Sequence, residues 1–217
     1  SIPLGQFRFF QKYIAKLAGK LGLRKNHDPL AILASGGGSN AAAILRYFQG
    51  HPQIRITLIA CNRQTAGVYQ VAENHHVESI RLERDRFQNG DAYLPEFQSR
   101  QIDGLLLAGF LWKIPAALIQ AYPNRILNIH PALLPKFGGQ GMYGLHVHAA
   151  VLAAHETESG ITIHRVDEHY DHGDHLFQAH CPVLPDDNPE SLAQRVLTLE
   201  HTHYPATIEN YFTKLSN

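Results

Sequence analysis

Along most of the chain, short apolar runs alternate with stretches of helical periodicity. Leu30 to Ala34 is a β-like run, followed by Ser35-Gly36-Gly37-Gly38-Ser39-Asn40 and a helical stretch through Phe48. Ile54 to Ala60 predicts a second strand, Val68 to Asn74 a helix, Val77 to Leu82 an extended segment and Tyr93 to Gln101 a helix. Gly104 to Ala108 is again strand-like, Pro115 starts a helix where its missing N–H costs nothing, and Arg125 to Ile129 is a strand closed by Pro131. Beyond that, Leu145 to His155 predicts a helix and Gly160 to Val166 and His175 to Val183 two strands. Ser191 to Tyr211 predicts a last helix, with Leu192, Val196 and Leu199 on one face and Ser191 as its cap. This β-α-β-α rhythm implies an α/β fold: a doubly wound, mostly parallel sheet wrapped by helices, Rossmann-like in its N-terminal half.

Residues 1–28 differ from the rest. Phe10, Ile14, Leu17 and Leu21 recur at helical spacing, so Phe7 to Leu21 predicts an amphipathic helix. Its charge is basic: Arg8, Lys12, Lys16, Lys20, Arg24 and Lys25 stand against Asp28 alone, a net charge of +5. Such a helix suits a partner or a membrane surface, but the missing initial Met favours an appendage. Residues 29–217 are expected to form a single domain.

Over the whole chain Lys+Arg and Asp+Glu both number 19, so no global field points to nucleic acid or membrane. No apolar run approaches a membrane span and no signal segment is visible. The two cysteines, Cys61 at the end of an apolar run and Cys181 before Pro182, read as buried free thiols of a reducing compartment, and a cytoplasmic location is expected. The 15 histidines invite a metal reading, but there is no His-Glu-x-x-His and no Cys-x-x-Cys. His146 and His148, two apart in a helix, do not share a face, so no metal is expected.

Three features carry chemistry. The glycine turn at 35–40 lies between the first strand and its helix, where backbone N–H groups point toward an anion. It is neither a dinucleotide fingerprint nor a Walker loop, which leaves a nest for one phosphate, with Ser39 and Asn40 adding side-chain bonds, or simply a tight turn. At the strand end Asn128-Ile129-His130, residues i and i+2 project together, placing an amide donor beside an imidazole. That pair suits acyl transfer, Asn128 donating to an oxyanion and His130 supplying a proton, though it could equally tie down a loop. The acidic and His-rich stretch 166–174 could bring a carboxylate to an imidazole and raise its pKa, or could be a solvated turn.

These motifs, in order, resemble the phosphoribosylglycinamide formyltransferase family of purine biosynthesis. The resemblance runs from about Leu30 to about Phe212. It is carried by Ser-Gly-Gly-Gly-Ser-Asn at 35–40, Leu-Ala-Gly-Phe at 107–110 and Asn-Ile-His-Pro-Ala-Leu-Leu-Pro at 128–135. Gly-Ile-Thr-Ile-His at 160–164, Asp171-His172-Gly173 and Glu200-His201 with Tyr204-Pro205 complete it. The resemblance implies a formyltransferase fold and a catalytic trio of Asn128, His130 and Asp171, with His130 as proton donor and Asp171 holding its pKa up. It implies that Gly38, Ser39 and Asn40 bind the phosphate of glycinamide ribonucleotide, and that Leu197, Thr198, Leu199 and Glu200 hold the rest of that substrate. It places 10-formyltetrahydrofolate, as co-substrate, against Leu111, Trp112, Lys113, Ile114 and Asn128, and against the loop Asp167, Glu168, His169, Tyr170 and Asp171. Arg84 stands near a family arginine that contacts the formyl-folate, with two extra residues around Asn89-Gly90. The chain departs from common family choices at Ala132, Trp112 and Lys113 and in the longer loop Lys136 to Gly144. The implied partners are the two small molecules, with no nucleic acid or membrane, and the implied assembly a monomer or homodimer. Two rival readings stand: formyltetrahydrofolate deformylase, in which water replaces the amine, and a non-catalytic folate- or phosphate-binding module.

Overall fold

The computed structural model describes residues 27–169 and 171–215. The basic helix expected in the first 28 residues therefore lies outside the described residues, as does Tyr170. Asp28, assigned above to the leader, opens the first strand instead, its N–H donating to the Gln53 carbonyl.

Among the described residues seven strands form one sheet: β1 (Asp28–Ala34), β2 (Ile54–Cys61), β3 (Glu78–Arg81), β4 (Gly104–Ala108), β5 (Ile126–His130), β6 (Glu158–Arg165) and β7 (His175–Pro182). Their order is β3-β2-β1-β4-β5-β6-β7, with β1 to β5 mutually parallel and β6 and β7 antiparallel at one edge. The doubly wound, mostly parallel sheet expected from the β-α rhythm is what forms. The helices are α1 (Ser39–Tyr47), α2 (Val68–Asn74), α3 (Arg84–Asn89), α4 (Leu94–Ser99), α5 (Ala116–Ala121), α6 (Leu145–Ala153) and α7 (Pro189–Leu215).

The central strands read as unbroken apolar runs because both faces of the sheet are covered. In β1, Leu30, Ile32 and Ala34 pack into one core, with Ala41 and Ile44 of α1 and Val196 and Ile208 of α7. Ala31 and Leu33, on the other face, pack with Phe87 of α3, Phe97 of α4 and Leu118 of α5. One hydroxyl pins α7 to the sheet: the wholly buried Tyr204 Oη shares its proton between the carbonyls of Leu107 in β4 (3.0 Å) and Leu127 in β5 (3.1 Å).

Several boundaries depart from the sequence expectation. Helix α3 was not expected: six residues with one buried apolar side chain, Phe87, give no periodic signal. Phe87 seats it against the rings of Phe110 and Trp112. The cap of α7 is Asn188 rather than Ser191: Asn188 Oδ1 accepts the Ser191 N–H (2.8 Å) and Ser191 Oγ accepts the Asn188 N–H (3.0 Å). This reciprocal pair is a capping box, which moves the start to Pro189, where the missing N–H is harmless. The same helix continues through Pro205 to Leu215, past the expected end at Tyr211.

Candidate active site

The C-terminal ends of β1, β4 and β5 open onto a cleft of about 1340 Å³, closed on one side by the first turns of α7. The chain reverses its order of strand addition between β1 and β4, and parallel sheets present ligand crevices at that point.

Alternation along β5 carries Asn128 and His130 to the same face, and antiparallel pairing sets His164 of β6 opposite Asn128 and Thr162 opposite His130. Asp171, from the turn between β6 and β7, comes down onto this face. The Asp171 carboxylate lies 3.7 Å from His130 Nδ1 through Oδ2, and 3.5 Å from both Asn128 Nδ2 and His164 Nε2 through Oδ1. His164, to which the sequence reading gave no role, holds the amide plane: its Nδ1 donates to the Arg165 carbonyl (2.9 Å), leaving Nε2 to accept from Asn128 Nδ2 (3.1 Å). The signal that could have found it is the alternation Thr162–His164, but its partner is fixed only by the β5–β6 register.

The turn after β5 ties the group together. His130 Nε2 donates to the Phe137 carbonyl (2.7 Å), and the Gly139 N–H donates to Asp171 Oδ2 (2.9 Å). A carbonyl only accepts, so the Nε2 proton is fixed and Nδ1, facing Asp171, is the atom free to gain and lose one. Phe137 and Asp171 both have φ near 55°, a backbone region costly for side-chain-bearing residues and concentrated at functional sites. Gly173 makes the second turn possible, since a Cβ there would sit 1.7 Å from the Arg165 carbonyl oxygen. Thr162 braces the first: its hydroxyl donates to the Ala132 carbonyl (2.7 Å) and accepts the Leu134 N–H (3.0 Å).

The electrostatics correct one expectation. His130 was expected to be held protonated near neutrality. Burial, which disfavours the charged ring, outweighs the lift from Asp171 and the Phe137 carbonyl, so its pKa lies below the ordinary value. For Asp171 the balance runs the other way. Burial pushes its carboxyl up, but the His164 and His130 rings in their protonated forms, with the Gly139 N–H, bring it below the usual carboxylate range.

At the other end of the cleft, Asn40 Nδ2 donates to Glu200 Oε2 (2.5 Å), and Glu200 is only 8% exposed. Burial raises its carboxyl pKa and the Asn40 bond offsets part of the rise. Gly38 caps α1 with φ 83°, and a Cβ there would lie 2.9 Å from Val68 Cα.

Of the residues expected to contact substrate, Asn40, Arg84, Leu111 to Ile114, Asn128, Asp167, His169, Asp171, Leu197 and Glu200 line the cleft, as does His130. Gly38, Ser39, Glu168, Thr198 and Leu199 do not. For α7 the reason is helical geometry: Leu197 and Glu200, three apart, share the cleft face. Thr198 instead turns its hydroxyl to the Gln194 carbonyl and Leu199 packs on the core. Arg63 lines the cleft without having been singled out, and so does Ser35, named only as part of the glycine turn. Ser35 Oγ accepts the Leu111 N–H (2.9 Å), joining the glycine turn to the wall carrying Trp112 and Lys113. Among the described residues no group of three or more His, Cys, Asp or Glu is placed to hold a metal ion.

Two buried imidazoles make stability depend on pH. Burial lowers the pKa of His130 and of His148, each only 4% exposed. The unfolded chain, with imidazoles at the ordinary 6.5, then binds more protons than the folded one as pH falls through that value, so stability falls on the acid side. Asp171, whose carboxyl is held low, loses its contribution in the same direction at more acid pH. The melting temperature is expected to be lower at about pH 5.5 than at about pH 7.5. An equal or higher value at the acid pH contradicts this origin.

The chain resembles known proteins over most of its length. The sequence profile described as formyl transferase matches residues 29–208. The chain is 40% identical over 189 residues to the chloroplastic phosphoribosylglycinamide formyltransferase of Arabidopsis thaliana, covering 82% of this chain and 65% of the relative. It thus spans about two thirds of that plant protein's length. It is 34% identical over 184 residues to phosphoribosylglycinamide formyltransferase of Bacillus subtilis (strain 168), covering 82% of this chain and 92% of the relative. The crystal structure of phosphoribosylglycinamide formyltransferase from Bacillus halodurans superposes with a TM-score of 0.78 at 32% identity, covering 86% of this chain and 96% of that one.

Proposed function

The chain belongs to the formyl transferase family, and from that membership and the cleft we infer that it moves the formyl group of 10-formyltetrahydrofolate onto the amine of glycinamide ribonucleotide. The observation that carries this reading is the convergence of Asn128, His130 and Asp171 in one cleft with the glycine turn and the Asn40–Glu200 pair. The trio supplies acyl-transfer chemistry, while the free N–H groups at the start of α1 and the buried carboxylate suit an acceptor bearing a phosphate and a ribose. The wall from Leu111 to Ile114, with Phe110 and Arg84, suits a flat heteroaromatic donor.

The chemistry follows from the proton positions. The acceptor amine adds to the formyl carbon, giving a tetrahedral centre with an oxyanion and a protonated nitrogen. The 3.1 Å bond to His164 fixes the Asn128 amide, and its second N–H, only 3.5 Å from Asp171, turns to the oxyanion. His130, neutral at the outset, takes the amine proton at Nδ1, directly or through water, and the imidazolium so formed sits against Asp171. It then returns the proton to N10 of the folate as the N10–carbon bond breaks, leaving tetrahydrofolate and the formylated amine. We place this activity in the cytoplasm, in a monomer or a homodimer. Two unpaired buried thiols, Cys61 and Cys181, suit a reducing compartment, and among the described residues no helix is long and apolar enough to cross a membrane.

A spectrophotometric assay of folate release with and without glycinamide ribonucleotide tests the reading. Release that requires the ribonucleotide supports it; release without it makes the protein a deformylase, and no release despite folate binding makes it a binding module. The glycine turn offers a separate check. Gly38→Ala forces a side chain into the left-handed region and against Val68, at a cost of about 1–2 kcal/mol. The KM for the ribonucleotide is expected to rise on the order of tenfold with the folate KM unchanged. An unchanged ribonucleotide KM would remove this turn from the phosphate site.

A further inference from the structure

We propose that His148 is a neutral hydrogen-bond donor to the acceptor substrate, contacting the amide carbonyl that lies one carbon away from the attacking amine; this rests on the reaction read above. His148 projects from α6 into the cleft lining, to which α7, packed against α6, contributes Glu190, Gln194, Leu197 and Glu200. His146, two residues earlier, points outward and is exposed. The His148 ring is buried, and its Nδ1 is sealed in the protein with no hydrogen-bond partner.

That orphaned nitrogen fixes the ring's chemistry. A proton on Nδ1 would be a buried donor with nothing to accept it, costing about 1–3 kcal/mol, so the ring's single proton belongs on Nε2. Nε2 is then the nitrogen that reaches the cleft, and it reaches it as a donor. A second proton would again fall on Nδ1, so the ring stays uncharged while His130 gains and loses its own. Burial and the nearby His130 ring both push the His148 pKa down, in line with this.

The substrate's connectivity supplies the acceptor atom. With the phosphate at the start of α1, the ribose at Glu200 and the amine at the trio, the glycinamide carbonyl lies between the ribose and the amine. His148, in the lining that α6 and α7 share and close to the His130 ring, is the group we assign to that carbonyl. A donor there orients the amine toward the formyl carbon without itself exchanging a proton with the reacting atoms.

The test uses His148→Phe, which keeps an aromatic ring and removes the donor, and His148→Gln, which restores an N–H near the Nε2 position. Calorimetric titration of glycinamide ribonucleotide reads binding without turnover, and steady-state kinetics and melting temperature are measured alongside. His148→Phe is expected to bind the ribonucleotide about tenfold more weakly and to lose kcat/KM to match, with the folate KM and the melting temperature held. His148→Gln is expected to regain most of the loss. The proposal is overturned if His148→Phe binds within about twofold of the parent, or if both variants lose equally. If the parent protein binds the ribonucleotide but transfers no formyl group, the reaction reading fails while the calorimetry still judges His148. A parent protein that does not bind it at all refutes both.

Discussion

Asn128→Ala is expected to lower the rate of formyl transfer about 100- to 1,000-fold, the loss that follows removal of one preorganised oxyanion donor. The effect should fall on kcat, because the amide gains its substrate bond only as the carbonyl oxygen becomes an oxyanion. Folding should survive. His164 keeps its bond to the Arg165 carbonyl, and the backbone of Asn128 keeps its ladder bonds with β4 and β6. Single-turnover kinetics, with circular dichroism to verify the fold, measure it. A folded variant with a rate within a few-fold of the parent would show that the amide does not meet the developing charge.

The second large effect is expected at Asp171. In Asp171→Asn the neighbouring ring loses the charge that favours its protonated form, and turnover should fall by about 100- to 10,000-fold, the range of a general acid–base contribution. The pH profile gives the sharper reading. Asp171 raises the His130 pKa against a larger downward pull from burial, so removing its charge lowers that pKa further. The limb on which activity rises with pH, as His130 loses its resting proton, should therefore move to more acid pH in the variant. A limb that stays in place, or moves to higher pH, would break the coupling between the two groups.

Much of the sheet is readable from sequence because a parallel strand covered on both faces is an unbroken apolar run. Leu30 to Ala34 and Gly104 to Ala108 are such runs. Helix α3 was not readable: it is six residues long, and what holds it is the contact of Phe87 with Phe110 and Trp112, residues distant in the chain. The pairing of Asn128 with His130 follows from alternation within one strand. The approach of Asp171 does not, since it depends on a turn with φ 55° at Asp171 and on a glycine at 173 that allows the Arg165 carbonyl to come close. In the sequence His146 and His148 stand as a like pair two residues apart, which hides the difference between an exposed ring and a buried one. The direction of the His130 shift is hidden for a related reason: the charge beside it is written in the sequence, and the depth of its burial is not.

The Tyr204 hydroxyl, shared between the Leu107 and Leu127 carbonyls, works as a jig. Asn128 follows Leu127 directly, and Glu200 lies about one turn before Tyr204 on the same helix. One phenol therefore spaces Glu200 from Asn128, the groups proposed above for the acceptor and the oxyanion. Helix and sheet are thereby joined at a fixed point beneath the cleft. Redesign for a longer or shorter acceptor has to trim side chains along the cleft, because sliding α7 would uproot its anchor beneath the reaction centre.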